Sequence, residues 1–330
     1  MHVVITGGAG FLGRRLAEKL LQRGTLRRPD GTDGAIDQLT LVDVASSVAF
    51  PDPRVRQVTG DIADSTLLEG VVDPDTTSIF HLAAVVSGMA ESDFDIGMHV
   101  NLDATRALLE VCRAAGHRPR LVFTSSVAVY GGRLPDPVPD SALLNPQTSY
   151  GTQKAIAELL INDYTRRGFV DGRSLRLPTI SVRPGKPNAA ASSFASGIIR
   201  EPLNGIEAIC PVGPETRLWL LSPRTVIDCL VTAHEIAGET LGTDRALNLP
   251  GISVTVGEMA AALERVAGPA VVGRIRWERD ARLERMVLGW PGRLEATRAR
   301  ALGFPADDNF DATIRQYIEE ARPAASSVQS

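Results

Sequence analysis

Tyr150 and Lys154, in the run Tyr150-Gly-Thr-Gln-Lys154, have side-chain types and spacing that suit chemistry. In a helix, residues at i and i+4 share one face, one turn apart. A phenol is a poor base at neutral pH, with a reference pKa of about 10, but a nearby ammonium stabilises the phenolate. Each unit of downward shift is about 1.4 kcal/mol of differential interaction. The pair can therefore act as acid and base toward a hydroxyl. Y-x-x-x-K also arises by chance, and a solvated surface pair is the plain alternative. Thr124-Ser125-Ser126 closes a β-rich run upstream, where a hydroxyl could hold a substrate oxygen together with Tyr150.

A partner for that acid/base is written near the N-terminus. Thr6-Gly-Gly-Ala-Gly-Phe-Leu-Gly13 follows the apolar run Val3-Thr6 and precedes an amphipathic stretch. Gly8, Gly10 and Gly13 satisfy G-x-G-x-x-G, and Gly7, Gly10 and Gly13 give G-x-x-G-x-x-G. Glycines here permit a tight turn, close approach of a pyrophosphate, and close packing of helix on strand. Phe11 and Leu12 open the helix, whose unpaired N–H groups and dipole favour the diphosphate. A dinucleotide site is the reading, and a Tyr/Lys pair beside a nicotinamide suits hydride transfer at a carbinol. Asp43 ends the second β-rich run, placed to accept from ribose hydroxyls and repel a 2′-phosphate, which favours NAD over NADP. Thirty residues separate Gly13 from Asp43, against about 20 in the usual fingerprint. Thr25–Gln38 reads as an inserted surface loop that accounts for the excess, and a strand-end cap is the other reading of Asp43. Asp61 and Ile62, then Leu82, Ala83 and Ala84, follow the third and fourth strands, where such folds hold their ligands.

These groups need a scaffold that gathers strand ends. Strand candidates are Val3-Thr6, Leu39-Asp43, Arg54-Val58, Ser78-Leu82, Leu121-Thr124 and Arg173-Leu177. Leu12, Leu16 and Leu20 mark one intervening helix; Ala104, Leu108 and Val111 a second; Ile156, Leu159 and Leu160 a third. Strands alternating with helices give an α/β fold, a doubly wound parallel sheet of Rossmann type, with a smaller C-terminal substrate lobe. The expected division is 1–180 for the dinucleotide domain and 181–330 for the lobe, with elements near 215–250 returning to the sheet. Residues 183–214 show little periodicity. Helices are expected near Arg224-Ala237, Val256-Val266 and Asp311-Ala321, with a frayed tail from Pro323.

Composition narrows the class. The chain has 330 residues, 44% of them apolar, enough for a packed core. Its 35 Lys and Arg against 39 Asp and Glu, with no basic run, argue against nucleic acid. No run reaches the ~18 apolar residues of a membrane span. Val3 to Leu12 is apolar but glycine-broken and has no basic segment before it, so a cytoplasmic location is expected. Cys112, Cys210 and Cys229 have neither zinc nor disulfide spacing and read as buried thiols. No metal site is evident.

Taken together, TGGAGFLG, GDIAD, HLAA, TSSVAVYG and YGTQK resemble the extended short-chain dehydrogenases/reductases, across the first 180 residues. The resemblance implies that Tyr150 is the acid/base, that Lys154 binds the nicotinamide ribose and tunes it, and that NAD is the cofactor. The family's hydroxyl lies three residues before V-Y-G, which is Ser126 here, with Ser125 the other candidate. Asn101, in N-x-x-x-T, would support Lys154 through water or simply pack its helix. Pro178 and Thr179 stand where nucleotide-sugar members have Asn, and would contact the nicotinamide. The stretches Arg183 to Phe194 and Arg217 to Arg224 resemble the D-erythronate dehydrogenases, which implies oxidation of a small sugar acid at C2. Arg183, Lys186 and Arg217 would then face its carboxylate, and Ser87, Asn188 and Ser192 its hydroxyls. Another aldonate or uronate, a nucleotide-sugar epimerase, and an NAD sensor without catalysis are the alternatives. The resemblance also implies a homodimer through the helix of Tyr150 and that near Asn101-Ala115.

Overall fold

The computed structural model describes residues 1–321 apart from Lys186, Asn188 and Ala189. Seven parallel strands form its main sheet: β1 His2–Thr6, β2 Gln38–Asp43, β3 Val55–Thr59, β4 Thr76–His81, β5 Arg120–Ser126, β6 Asp171–Leu177 and β7 Ala246–Asn248. Their spatial order is β7-β6-β5-β4-β1-β2-β3. The first six match the six β-rich strand candidates of the sequence to within two residues. β1 is buried along its whole length, flanked by β2 and β4 with Ile5 opposite both Leu41 and Phe80. That environment explains its continuous apolar, β-branched sequence.

Helices cover both faces. On one side α1 (Phe11–Arg23) brings Leu16 and Leu20 into a core that also holds Val226 and Leu230 from α5 (Pro223–Glu235). On the other, α2 (Ala104–Ala115) and α3 (Ser149–Arg166) pack Leu108, Ala157 and Ile161 against Val4, Ile79 and Leu121. A second core gathers Ile198 and Ile199 of α4 (Phe194–Leu203), Met259 and Leu263 of α6 (Val256–Ala267), and Ile314 of α7 (Phe310–Ala321). Above the sheet, strand Arg217–Leu221 pairs antiparallel with Ile252–Thr255 and parallel with Thr179–Ile180.

Two local expectations need correction. The stretch Thr25–Gln38 is not a surface loop: Thr25–Arg27 and Asp33–Ala35 form an antiparallel hairpin. Leu26 and Ile36 hold it to the first core, both buried. Helix α4 lies where no periodicity was legible, because its buried face includes Ser196, Arg200 and Pro202 as well as Phe194, Ile198 and Ile199. Polar atoms on an inward face erase the apolar stripe.

The three cysteines are buried and unpaired, and burial raises each thiol pKa. Among the described residues no cluster of His, Cys, Asp and Glu could hold a metal, and no helix is long and apolar enough to cross a membrane.

Candidate active site

The strand order reverses between β1 and β4, so the loops after these strands part and leave a crevice. The crevice holds a cavity of about 500 Å³. Its floor includes Gly7, Gly10, Phe11, Leu12 and Gly13. Gly7 has φ +72°, and a Cβ there would stand 2.8 Å from Ala83 N. A Cβ at Gly13 would stand 2.2 Å from Gly7 O. The turn therefore uses the 7-10-13 set, and Gly8 is spent on packing against Leu41. This is the backbone cradle that a pyrophosphate requires at the N-terminus of α1.

At the end of β2, Asp43 accepts from Ala9 N at 3.0 Å and Ala45 N at 3.1 Å, which ties the glycine turn to the strand. It lines a smaller hollow of about 80 Å³ with Ser46, Ser47 and Gln57. Each carboxylate oxygen keeps a lone pair for a ribose hydroxyl.

Tyr150 and Lys154 enter the main cavity from the start of α3. Thr148 caps this helix, its Oγ1 accepting from Gly151 N at 3.1 Å. Gly151 permits the contact that matters: a Cβ there would lie 2.1 Å from Ala128 O. Without a side chain, α3 closes on the turn after β5 and brings the phenol beside the Ser126 hydroxyl. Ser126 Oγ also accepts from Ala128 N at 3.1 Å. Burial pushes the Tyr150 pKa up to about 12, against the downward pull of Ser126 and the Arg183 charge.

Lys154 is buried, with Nζ 4.5 Å from the centroid of Phe123 and 5.8 Å from that of Tyr150. Desolvation lowers its pKa to about 7, and the Glu158 carboxylate works in the opposite direction. Beneath Phe123, His81 stacks at 5.5 Å and bonds Thr6 Oγ1 at 2.7 Å and Thr105 Oγ1 at 3.0 Å. Burial and the Lys154 charge hold it near pKa 3, hence neutral.

Glu158 continues the i, i+4 series of Tyr150 and Lys154. It accepts from Ser125 Oγ at 2.5 Å and from Arg176 Nη2 at 2.7 Å. Arg176 in turn donates to Tyr130 OH at 2.7 Å, and Tyr130 donates to Asn248 Oδ1 at 3.0 Å. A buried polar chain thus runs from the cavity wall to β7.

The cavity brings together Leu82, Ala84, Ser87, Ser125, Ser126, Tyr150, Lys154, Pro178, Thr179, Arg183 and Ser192 with the glycine turn. Ala83 backs the turn without lining the cavity. Ser87 Oγ accepts from Ala191 N at 3.3 Å, joining the sheet side to the lobe. Asp61 pairs with His99 at 2.7 Å and Ile62 is buried, both outside the cavity wall. Asn101 lies in a π-helical stretch, Met98–Asp103, buried, donating to Gln153 Oε1 at 2.8 Å and accepting from Val85 N at 3.0 Å. It is wired to the neighbour of Lys154. Arg217 stands apart: it is exposed, 3.8 Å from Glu258 and 3.4 Å from Ser253 Oγ. Lys186 and Asn188 lie outside the described residues. The sequence reading missed Arg200 and Trp290, which also line the cavity. Neither carried a local signal: Arg200 lies in a stretch of mixed polarity without periodicity, and Trp290 in a loop.

Comparison with known proteins gives a consistent result. The profile described as the NAD dependent epimerase/dehydratase family matches residues 3–223. The chain is 64% identical to the D-erythronate dehydrogenase of Cupriavidus necator, over 97% of this chain and 99% of that protein. It is 48% identical to the D-erythronate dehydrogenase of Haemophilus influenzae, over 97% and 99%. A solved structure described as a nucleoside-diphosphate-sugar epimerase from Agrobacterium tumefaciens superposes with a TM-score of 0.91 at 47% identity, covering 97% of this chain and 94% of that one.

Proposed function

The chain belongs to the NAD dependent epimerase/dehydratase family, and from that premise we propose that it oxidises D-erythronate at C2 to 2-dehydro-D-erythronate. The protein is an NAD-dependent oxidoreductase. One observation carries the choice of substrate class. Tyr150, Ser126 and the Arg183 guanidinium share one cavity, and among the described residues no carboxylate pairs with Arg183.

The residues present fit the cofactor. The Gly7–Gly13 cradle, which Cβ atoms would fill, takes the diphosphate, and Asp43 takes the adenosine ribose. Lys154, whose ammonium has no hydrogen-bond acceptor among the described residues, takes the nicotinamide ribose. Leu82, Ala84, Pro178 and Thr179 wall the nicotinamide end. When bound, NAD supplies the hydride acceptor and a positive ring. Ser126 holds the C2 oxygen beside the phenol, and Tyr150 takes the hydroxyl proton. Phenolate at Tyr150 and ammonium at Lys154 stabilise each other. Arg183 draws the carboxylate to one end, which fixes C2 rather than C3 or C4 at the phenol. Ser87 and Ser192 bind the remaining hydroxyls.

The epimerase name of the Agrobacterium structure favours a second reading, in which the same proton and hydride steps run out and back on a nucleotide sugar. The cavity volume weighs against it. At about 500 Å³, within the ~300–1,000 Å³ typical of ligand sites, it must take the nicotinamide end as well as the substrate. Little room is left for a nucleoside diphosphate.

The chain divides, in this reading, into a dinucleotide domain over 1–180, to which parts of 215–250 return, and a substrate lobe over the rest. It works as a cytoplasmic homodimer that packs α3 and the helix near Asn101–Ala115 against their mates. Ile156 and Leu159 are exposed apolar groups on α3, and light scattering reporting a monomer would refute the pairing. The reaction is tested by NADH formation at 340 nm with D-erythronate, L-threonate and longer aldonates. Tyr150→Phe should cut kcat by about 10²–10⁴-fold while NAD still binds. Unchanged turnover in that variant would remove Tyr150 from the mechanism, and turnover of UDP-sugars alone would favour the epimerase.

A further inference from the structure

The cavity wall holds a second guanidinium. Arg200 is buried on α4 between Ile199 and Glu201, and it lines the same cavity as Arg183 and Tyr150. Its Nη1 donates to the Arg183 carbonyl at 2.8 Å, and its Nη2 donates to Glu201 Oε1 at 2.5 Å. Adjacent helical residues normally point away from each other, so this pair has been drawn together by its surroundings. Glu201 Oε2 is buried with no donor among the described residues. Arg200 also acts on Arg183 through space, its charge adding to burial in lowering the Arg183 pKa. Among the described residues, the two guanidinium groups that line this end of the cavity and the Glu201 carboxylate bound to Arg200 sum to one net positive charge. An ion pair serving stability alone gains little over apolar side chains of like volume, and its carboxylate would not be left half satisfied.

We propose that Arg200 and Glu201 form a charge gauge: Arg200 joins Arg183 in binding one substrate carboxylate, and Glu201 refuses a second. The inference rests on the reading that this site oxidises a small hydroxy acid, and it assigns the accepted class as monocarboxylates. A four-carbon acid with a carboxylate at each end has the right length and the wrong charge. meso-Tartrate is such a probe, since it keeps the erythro arrangement of the two inner hydroxyls and replaces the terminal CH2OH by a carboxylate.

The test uses the NAD-loaded protein as wild type, Glu201→Gln, Arg200→Met and Arg200→Lys. Rates at 340 nm give KM for D-erythronate and the inhibition constant of meso-tartrate. Glu201→Gln keeps an acceptor for Arg200 and removes the negative charge, so tartrate should bind about tenfold more tightly, the effect of ~1.4 kcal/mol. KM for D-erythronate should change much less. Arg200→Met should raise that KM about tenfold or more, the loss of a charge-assisted contact, with KM for NAD unmoved. Arg200→Lys, which keeps the charge, should restore a large part of it. A Glu201→Gln protein that binds tartrate no better than wild type, or that shifts both anions equally, overturns the gauge. An Arg200→Met protein with the wild-type KM overturns the role of Arg200. If the wild type turns over no hydroxy acid, the proposed reaction fails separately. The gauge is then read from how far each anion raises the unfolding temperature of the NAD-loaded proteins, with the same ranking expected, and its absence overturns the inference.

Discussion

Gly151→Ala should separate catalytic geometry from stability. The added Cβ would lie 2.1 Å from Ala128 O, where ordinary contact is roughly 3.5 Å. The obstacle is main chain at the turn after Ser126, so it cannot rotate away. Helix α3 must retreat by roughly 1 Å, and it takes the phenol with it. A misplacement of that size costs about 10²-fold in rate, or ~2.7 kcal/mol of activation free energy. Folding should suffer less. Overpacking costs ~1–3 kcal/mol, and replacing glycine within a helix returns ~1 kcal/mol. The net of ~0–2 kcal/mol is a fall of a few degrees in Tm for a chain of this size. Initial rates at 340 nm and a thermal melt on the same preparation measure both. The expected result is kcat down about 100-fold with KM for NAD moved far less, since the glycine turn and Asp43 are untouched and only Lys154 shifts with α3. If kcat stays within about threefold while Tm falls, the contact serves the fold and does not set the phenol's position.

Three other perturbations follow from the same geometry. Glu158→Gln strips the buried Arg176 of its counter-charge, a loss of about 3–5 kcal/mol by analogy with broken buried pairs; urea unfolding reads it, and an unchanged midpoint contradicts it. Asp43→Asn removes the charge that repels a 2′-phosphate, so the ratio of kcat/KM for NADP over NAD should rise about tenfold or more; an unaltered ratio would show that Asp43 does not select the cofactor. His81 is held near pKa 3 when folded, against an ordinary 6.5, so only the unfolded chain takes up its proton between those values. Its contribution to stability is complete above pH 6.5 and is lost as pH falls toward 3, at up to about 1.4 kcal/mol per pH unit. The buried His234, also lowered, acts in the same direction. Melts from pH 7 to 4 should show Tm falling, with a shallower fall in His81→Gln; a flat profile contradicts the neutral assignment.

The parts most legible in the sequence were those with a short-range signature. Six strands were visible as short β-rich runs, continuously apolar where buried as in β1 and marked only by β-branched residues at the exposed edge strand β3, and the glycine turn because its backbone demands leave few residue choices. Tyr150 and Lys154 were visible because helical spacing alone puts them on one face. Contacts that depend on distant chain segments were not. Glu158 looked like any helical glutamate until β6 placed Arg176 against it. Arg200 lay in a stretch without periodicity because its inward face is polar. Arg217 looked like a site cation, but its strand directs it toward Ser253 and Glu258. The stretch Thr25–Gln38 read as a loop because Leu26 and Ile36, ten residues apart among polar ones, leave no pattern, although both are buried.

The seventh strand has a consequence for how the molecule is made. β7 pairs with β6 at Leu247↔Leu175, and Leu247, Leu249, Ala299 and Phe304 all belong to the core beneath β1. During vectorial synthesis the ribosome therefore delivers an unfinished sheet for a long interval. The nucleotide-binding half emerges with β6 as an open edge, of the kind that templates pairing with other chains. Arg173 on that strand waits for acceptors, since the carbonyl groups of Ala233 and His234 that bind it arrive later. Domains ordinarily fold as they appear, N-terminal first. Here the main sheet acquires its last strand only after residues 178–245 have been translated, and Ala299 and Phe304 join its core later still. The sheet that carries the crevice is therefore complete only once the C-terminal third of the chain has been made.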